Sequence, residues 1–130
     1  MGDLSKHFSR HEFRCKGIGC CGGSGAVDER LIVALEELWR RCCVETGAHR
    51  VSVMVNSGFR CERHNREVGG SENSEHCVGH AADIRCDGMS AAVLGDLAEK
   101  VEGFREGGIG RYDDFVHVDV RRSGPARWLR

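Results

Sequence analysis

A small α+β domain is the fold class this sequence predicts. Two long amphipathic helical stretches alternate with short apolar runs of strand period, and neither type dominates. Their order is helix, strand, irregular segment, strand, helix, then two strands. That order favours a small antiparallel sheet with helices packed on one side. At 130 residues the chain is long enough for a real core. A single domain over 1–130 is expected, with 1–25 forming an N-terminal arm and a Cys/Gly-rich loop.

Taken in order, Ser9-Arg-His-Glu12 has capping-box spacing and predicts a short helical turn. Phe8 and Phe13 flank it as anchors on the core. Cys15 to Gly25 reads as loop. Its Gly22-Gly-Ser-Gly25 lacks the Gly-Lys-Ser/Thr ending of a phosphate loop, so nucleotide binding is not expected. Val27 to Cys43 is the clearest helix: Leu31, Ala34, Leu35, Leu38 and Cys42 keep the i, i+3, i+4, i+7 rhythm. Glu36, Glu37, Arg40 and Arg41 fall largely on the other face, and Gly47 ends it. Val51 to Val55 alternates and predicts a strand. Cys61 to Val68 predicts one or two helical turns closed by Gly69-Gly70. Ala81 to Arg85 predicts a strand. Ser90 to Phe104 predicts a second helix, with Ser90 as N-cap and Leu94, Leu97, Ala98 and Val101 facing in. Gly108 to Arg111 and Phe115 to Val120 predict two strands joined by a turn at Tyr112-Asp-Asp114. The four arginines between Arg121 and Arg130 read as a solvated C-terminus.

With 19 basic against 20 acidic side chains, net charge is −1. Nothing there calls for nucleic acid or an anionic membrane surface as partner. No window approaches the about 20 apolar residues of a membrane span. The first residues show no apolar segment of a signal peptide, so work outside the cytoplasm would need another means of delivery. A monomer is expected. The chain has eight cysteines, none in a Cys-x-x-Cys pair. The strongest thiolate signature is therefore missing, which counts against a redox or metal-storage protein. Three readings stay open: thiols packed as small apolar groups, a disulfide, or a second metal site near Cys15, Cys20 and Cys21.

The chemistry concentrates in Ser74-Glu-His76-Cys-Val-Gly79-His-Ala81-Ala-Asp83 and in Phe115-Val-His117-Val-Asp119. Two histidines and one carboxylate (His76, His117 and Asp83) suit a zinc ion that keeps a position open for water. Gly79 allows the turn, and Ala81 keeps the wall thin beside the metal. Asp119 projects to the same strand face as His117 and is a partner for a ligand's outer N–H. Asp114, at the turn, is the favoured general base, with Asp119 its competitor and Asp113 a weaker third. Arg60, in Asn56-Ser-Gly-Phe-Arg60, would polarise a substrate carbonyl or hold a carboxylate; taken alone it reads as a surface ion-pair partner. Ser74 is a substrate contact or a loop-to-backbone hydrogen bond. His80 would support the ligands from behind. His7, His11, His49 and His64 read as ordinary surface histidines.

These residues resemble the zinc D-Ala-D-Ala carboxypeptidase and L,D-endopeptidase family (peptidase family M15), nearest its short phage and prophage branch. The resemblance is carried by Ser74 to Asp83 with the distant His117. Phe8 to Phe13, Asn56 to Arg60, His64 to Gly70, Gly107 to Tyr112 and Phe115 to Arg121 follow the same pattern. It implies zinc on His76, Asp83 and His117, and Arg60 on the developing charge of the scissile carbonyl. The base falls on Asp114, three residues before the last histidine; other branches use a histidine two before it, where this chain has Phe115. The implied fold is that shared with the hedgehog signalling domain. The implied substrate is a peptidoglycan peptide and the implied place of action the cell wall or periplasm, reached by phage or lysis. The same scaffold also serves binding, so a non-catalytic zinc module of a wall-binding or tail protein is the alternative.

Overall fold

The computed structural model describes residues 2–23 and 25–130. Ser24, within the glycine-rich stretch weighed as a phosphate loop, lies outside the described residues, as does Met1. Four helices occur among the described residues: α1 (Glu29–Thr46), α2 (Glu62–Glu67), α3 (Ala91–Ala98) and α4 (Glu102–Arg105). Five strands, β1 (Val53–Ser57), β2 (Ala81–Cys86), β3 (Gly108–Arg111), β4 (Val116–Asp119) and β5 (Ala126–Leu129), form one sheet in the order β1-β2-β4-β3-β5. The α+β expectation holds.

α1 starts where the Asp28 carboxylate accepts from Arg30 N–H, and it stops at Gly47, whose φ is 72°. Its predicted apolar stripe is the buried one: Leu31, Ala34, Leu35, Leu38 and Cys42 all face the core. The predicted helix over Ser90 to Phe104 is instead two. α3 is capped by Ser90, whose hydroxyl accepts from Val93 N–H, and the backbone turns extended at Val101 before α4. Gly95 and Gly103 weaken a continuous helix here. The break seats Gly103 against Ala34 of α1, where an added Cβ would come within 3.2 Å of the alanine methyl.

The C-terminal segment corrects a second expectation. It is not a solvated tail: Ala126–Leu129 pairs with β3, and does so in parallel, so the sheet is not wholly antiparallel. The strand escapes the apolar pattern because its residues are only alternately half-buried. Its arginine is engaged rather than free, Arg127 reaching Glu99 at 2.9 Å and the carbonyls of Gly107 and Arg105 at 2.8 Å. On the opposite face Trp128 lies over Gly110, where any Cβ would meet the indole at 2.3 Å.

Strand alternation sorts the sheet into two faces. Ala82, Ile84, Cys86, Ile109, Val116 and Val118 join α1, α3 and α4 in the apolar cluster. Asp83, His117 and Asp119 point the other way. Cys42 and Cys86 are buried in that cluster as small apolar groups, and burial pushes the Cys42 thiol up to about 12.

The N-terminal arm is held more firmly than expected. Phe8 and Phe13 are buried as anticipated, and the Glu12 carboxylate accepts from Ser9 N–H at 2.7 Å. His7 is not an ordinary surface residue. It stacks on Trp39 with ring centroids 3.5 Å apart and bonds Glu36 at 2.7 Å. Glu36 also accepts from Ser5 Oγ at 2.6 Å and His7 N–H at 2.8 Å. Burial alone would raise the Glu36 carboxyl, but these hydrogen bonds outweigh it and hold it below its usual 4.5. A depressed carboxyl contributes stability above its unfolded value, and that contribution is lost as pH falls through the lower folded one. Acidification below about 4.5 should therefore release the arm, seen as a change in Trp39 fluorescence. Glu36→Ala should remove that transition and cost about 1–3 kcal/mol in denaturant unfolding.

Candidate metal centre

The segment carrying His76 is not open loop but a 3₁₀ turn, Glu75–Val78. Ser74 caps it, its Oγ accepting from His76 N–H at 3.2 Å. Gly79 ends it at φ 74°, packed so closely on Ala26 that a side chain would strike that carbonyl. The turn is tied down on both sides, by Arg60 N–H to His76 O at 3.2 Å and Asp28 N–H to Gly79 O at 2.9 Å. β2 then carries Asp83, whose partner across the antiparallel pair with β4 is His117. Register alone brings those two together.

The three predicted ligands converge. His76 Nε2 lies 3.1 Å and His117 Nδ1 3.0 Å from the same atom, Asp83 Oδ1. All three side chains are buried. The outer ring nitrogens are already committed. His76 Nδ1 donates to Gly58 O at 2.6 Å, and a carbonyl can only accept. His117 Nε2 donates to the Asp119 carboxylate at 2.8 Å. The protons are thereby placed outside, leaving two inward lone pairs beside a carboxylate oxygen. Such a donor set calls for a cation. Metal–ligand bonds of about 2.0–2.1 Å in a tetrahedron give ligand spacings of about 3.3 Å, so the set fits zinc.

Charge around the site obeys the same logic. Burial would raise the Asp83 carboxyl, yet the His117 and His76 rings beside it hold it well below the usual carboxylate range in the metal-free site. Burial would lower His117, but the Asp119 and Asp83 carboxylates on its two sides outweigh that and raise it in the metal-free site. Burial likewise works to raise Asp119, and bonds from His117 and Arg121 pull it down. Asp119 is fully enclosed: it accepts from Gly108 N–H at 2.8 Å and from Arg121 Nε and Nη2 at 2.9 and 2.7 Å, besides His117. Its oxygens are spent on orientation.

Arg60 is no surface ion-pair partner. Its Nη2 donates to Asp83 Oδ2 at 3.1 Å, its Nη1 to Asn65 Oδ1 and its Nε to Ser57 Oγ, both at 3.2 Å. A guanidinium has five N–H donors, so two remain for a ligand. Ser74, as its capping bond shows, serves the backbone; its O–H proton is still available, and the residue lines a groove with Asn65, Gly70, Asn73 and Glu75. His80 corrects its expected place. The turn at Gly79 directs its ring to Glu75 at 3.0 Å and Asp28 at 3.4 Å, so it braces the 3₁₀ turn against α1 and touches no ligand. Asp113 and Asp114 are exposed in the β3–β4 turn, and Asp114 has no hydrogen bond or ion pair among the described residues.

Sequence reasoning missed four contributors. Asn65 is buried, holding Arg60 and donating to Ser71 O at 2.7 Å. Gly58 contributes only a carbonyl, which no side-chain pattern reveals. Arg121 follows Asp119 by two along the chain, a same-face signal that the reading of a basic tail obscured. Trp128 packs its ring 4.9 Å from that of His117, and its indole N–H donates to Tyr112 Oη at 3.1 Å.

An α+β sheet that aims two histidines and an aspartate at one point, with their outer nitrogens tied back, defines a protein built around a mononuclear metal centre. A family model described as Peptidase M15 matches residues 6–119. The chain is also similar to a zinc D-Ala-D-Ala carboxypeptidase of Streptomyces albus G, 33% identical over 100 residues, which cover 75% of this chain and 39% of that protein. The chain belongs to the peptidase M15 family. It spans about 39% of the length of the curated relative it matches. Among the described residues no helix is long and apolar enough to cross a membrane.

Proposed function

We propose that this chain is a zinc-dependent peptidase of peptidoglycan stem peptides, of the D-Ala-D-Ala carboxypeptidase or L,D-endopeptidase type, acting at the cell wall. The observation that carries the reading is the convergence of His76, Asp83 and His117 with both outer imidazole nitrogens already bound to acceptors. The M15 membership and the similarity to the Streptomyces zinc D-Ala-D-Ala carboxypeptidase support the metal and the substrate class.

When bound, zinc supplies Lewis acidity and brings water within reach of deprotonation near neutral pH. The chain's own residues do the rest. His76, Asp83 and His117 hold the ion, and Asp119 keeps His117 in the required tautomer. Asp114 takes the proton of the attacking water and delivers it to the leaving amine. Its exposure and freedom from other bonds favour it over Asp119, whose oxygens are engaged. Arg60, fixed by Asp83, Asn65 and Ser57, turns its remaining donors to the carbonyl oxygen as charge develops there. The Ser74 hydroxyl meets the peptide backbone in the adjoining groove.

Incubating the zinc-loaded protein with purified muropeptides and weighing the products tests this. Loss of a terminal alanine identifies a carboxypeptidase, and two internal fragments identify an endopeptidase. Intact muropeptides retained on the protein would instead identify a binding module.

A further inference from the structure

Apart from the His–Asp–His centre, four cysteines meet at one point. Cys15, Cys20 and Cys21 come from the N-terminal loop, and Cys61 comes from 46 residues away in the chain. Cys15 Sγ lies 3.7 Å from Cys20 Sγ and 3.8 Å from Cys61 Sγ, while Cys20 and Cys21 sulfurs are 3.9 Å apart. All four lie within 4.8 Å of one another. Four thiolates at about 2.3 Å from a tetrahedral zinc are separated by about 3.8 Å. Disulfides would gather sulfurs in pairs at about 2.05 Å. This is a cluster around a centre. We propose that Cys15, Cys20, Cys21 and Cys61 form a second, structural metal site that takes one zinc or similar soft divalent cation.

The surroundings fit a closed site. Cys61 Sγ accepts from His64 N–H at 3.4 Å, a bond that orients a thiolate sulfur. Gly17 is folded against the cluster so tightly that a Cβ there would lie 2.5 Å from Cys20 Sγ and 2.9 Å from the His64 ring. Arg63 Nη1 donates to Gly19 O at 3.2 Å and ties the loop to α2. Lys16 Nζ ties the start of the loop to the carbonyls of Val55 and Asn56, both at 3.1 Å, but Ile18, its one large apolar residue, is 95% exposed. On binding, the four thiols give up four protons to solvent and form four metal–sulfur bonds, with no change of oxidation state. The ion would clamp the loop onto Cys61, the residue after Arg60, and so stiffen the segment from which Arg60 reaches Asp83.

The two sites separate by metal count and by spectrum. The reduced, zinc-reconstituted full chain should hold two zinc ions by elemental mass spectrometry. Cys20→Ser should lower this to one, and so, independently, should His76→Ala. The cobalt-substituted wild type should show the intense near-ultraviolet charge-transfer band of thiolate ligation. That band should persist in His76→Ala, whatever becomes of hydrolysis. Should Cys20→Ser fail to fold, the wild-type spectrum still decides. A wild-type cobalt protein without the band, or peptide mapping that finds Cys15 or Cys61 in a disulfide in the freshly isolated chain, overturns the proposal.

Discussion

His76→Ala is expected to empty the His–Asp–His centre and bring hydrolysis to background. It removes one of three ligands, and losing a partner behind a ligand already costs about 10–100-fold in affinity. Losing the ligand itself should exceed that. A second effect is structural. Gly58 O accepts from the His76 ring at 2.6 Å, and a buried carbonyl left without its donor costs about 1–3 kcal/mol. The variant should melt earlier yet keep its far-ultraviolet spectrum, since the 3₁₀ turn retains its Ser74 and Gly79 caps. Metal content after dialysis and product formation are the two measurements. Full activity in His76→Ala with its His–Asp–His centre empty would exclude the proposed mechanism.

Asp114→Asn should separate binding from turnover. The side chain is exposed and unengaged among the described residues, so neither melting temperature nor zinc content should move. Removal of a general base typically lowers the rate about 10²–10⁴-fold. Asp119→Asn makes the opposite forecast. Asp119 supports His117, Gly108 N–H and Arg121 together, so its loss should weaken zinc binding about 10–100-fold and destabilise the sheet. If Asp119→Asn instead holds zinc, folds normally and alone loses turnover, the base has been assigned to the wrong aspartate.

Much of this was legible in the sequence, for local reasons. α1 announced itself because its stripe from Leu31 to Cys42 is long and strictly periodic. The ligands were legible because His76 and Asp83 flank a glycine turn and a strand within one short stretch. What escaped depended on distant partners. β5 has no apolar alternation of its own and exists because β3 offers an edge. Arg60 was named from its motif, but its anchors Asp83, Asn65 and Ser57 were not. His7 needed Glu36 and Trp39, and the cysteine cluster needed Cys61, which no Cys-x-x-Cys spacing could foretell. Gly58 acts through its backbone, which is silent in a pattern of side chains.

The alternation of faces along β2 and β4 has one more consequence. Asp83 and His117 each sit between residues of the apolar cluster, Ala82 and Ile84 on one strand, Val116 and Val118 on the other. A slip of one residue in either strand would turn its ligand into the oil and its valines or isoleucine out to water. Metal uptake at this centre therefore depends on correct strand pairing. A chain that captures an ion on His76, Asp83 and His117 together must already have β2 and β4 paired in this register.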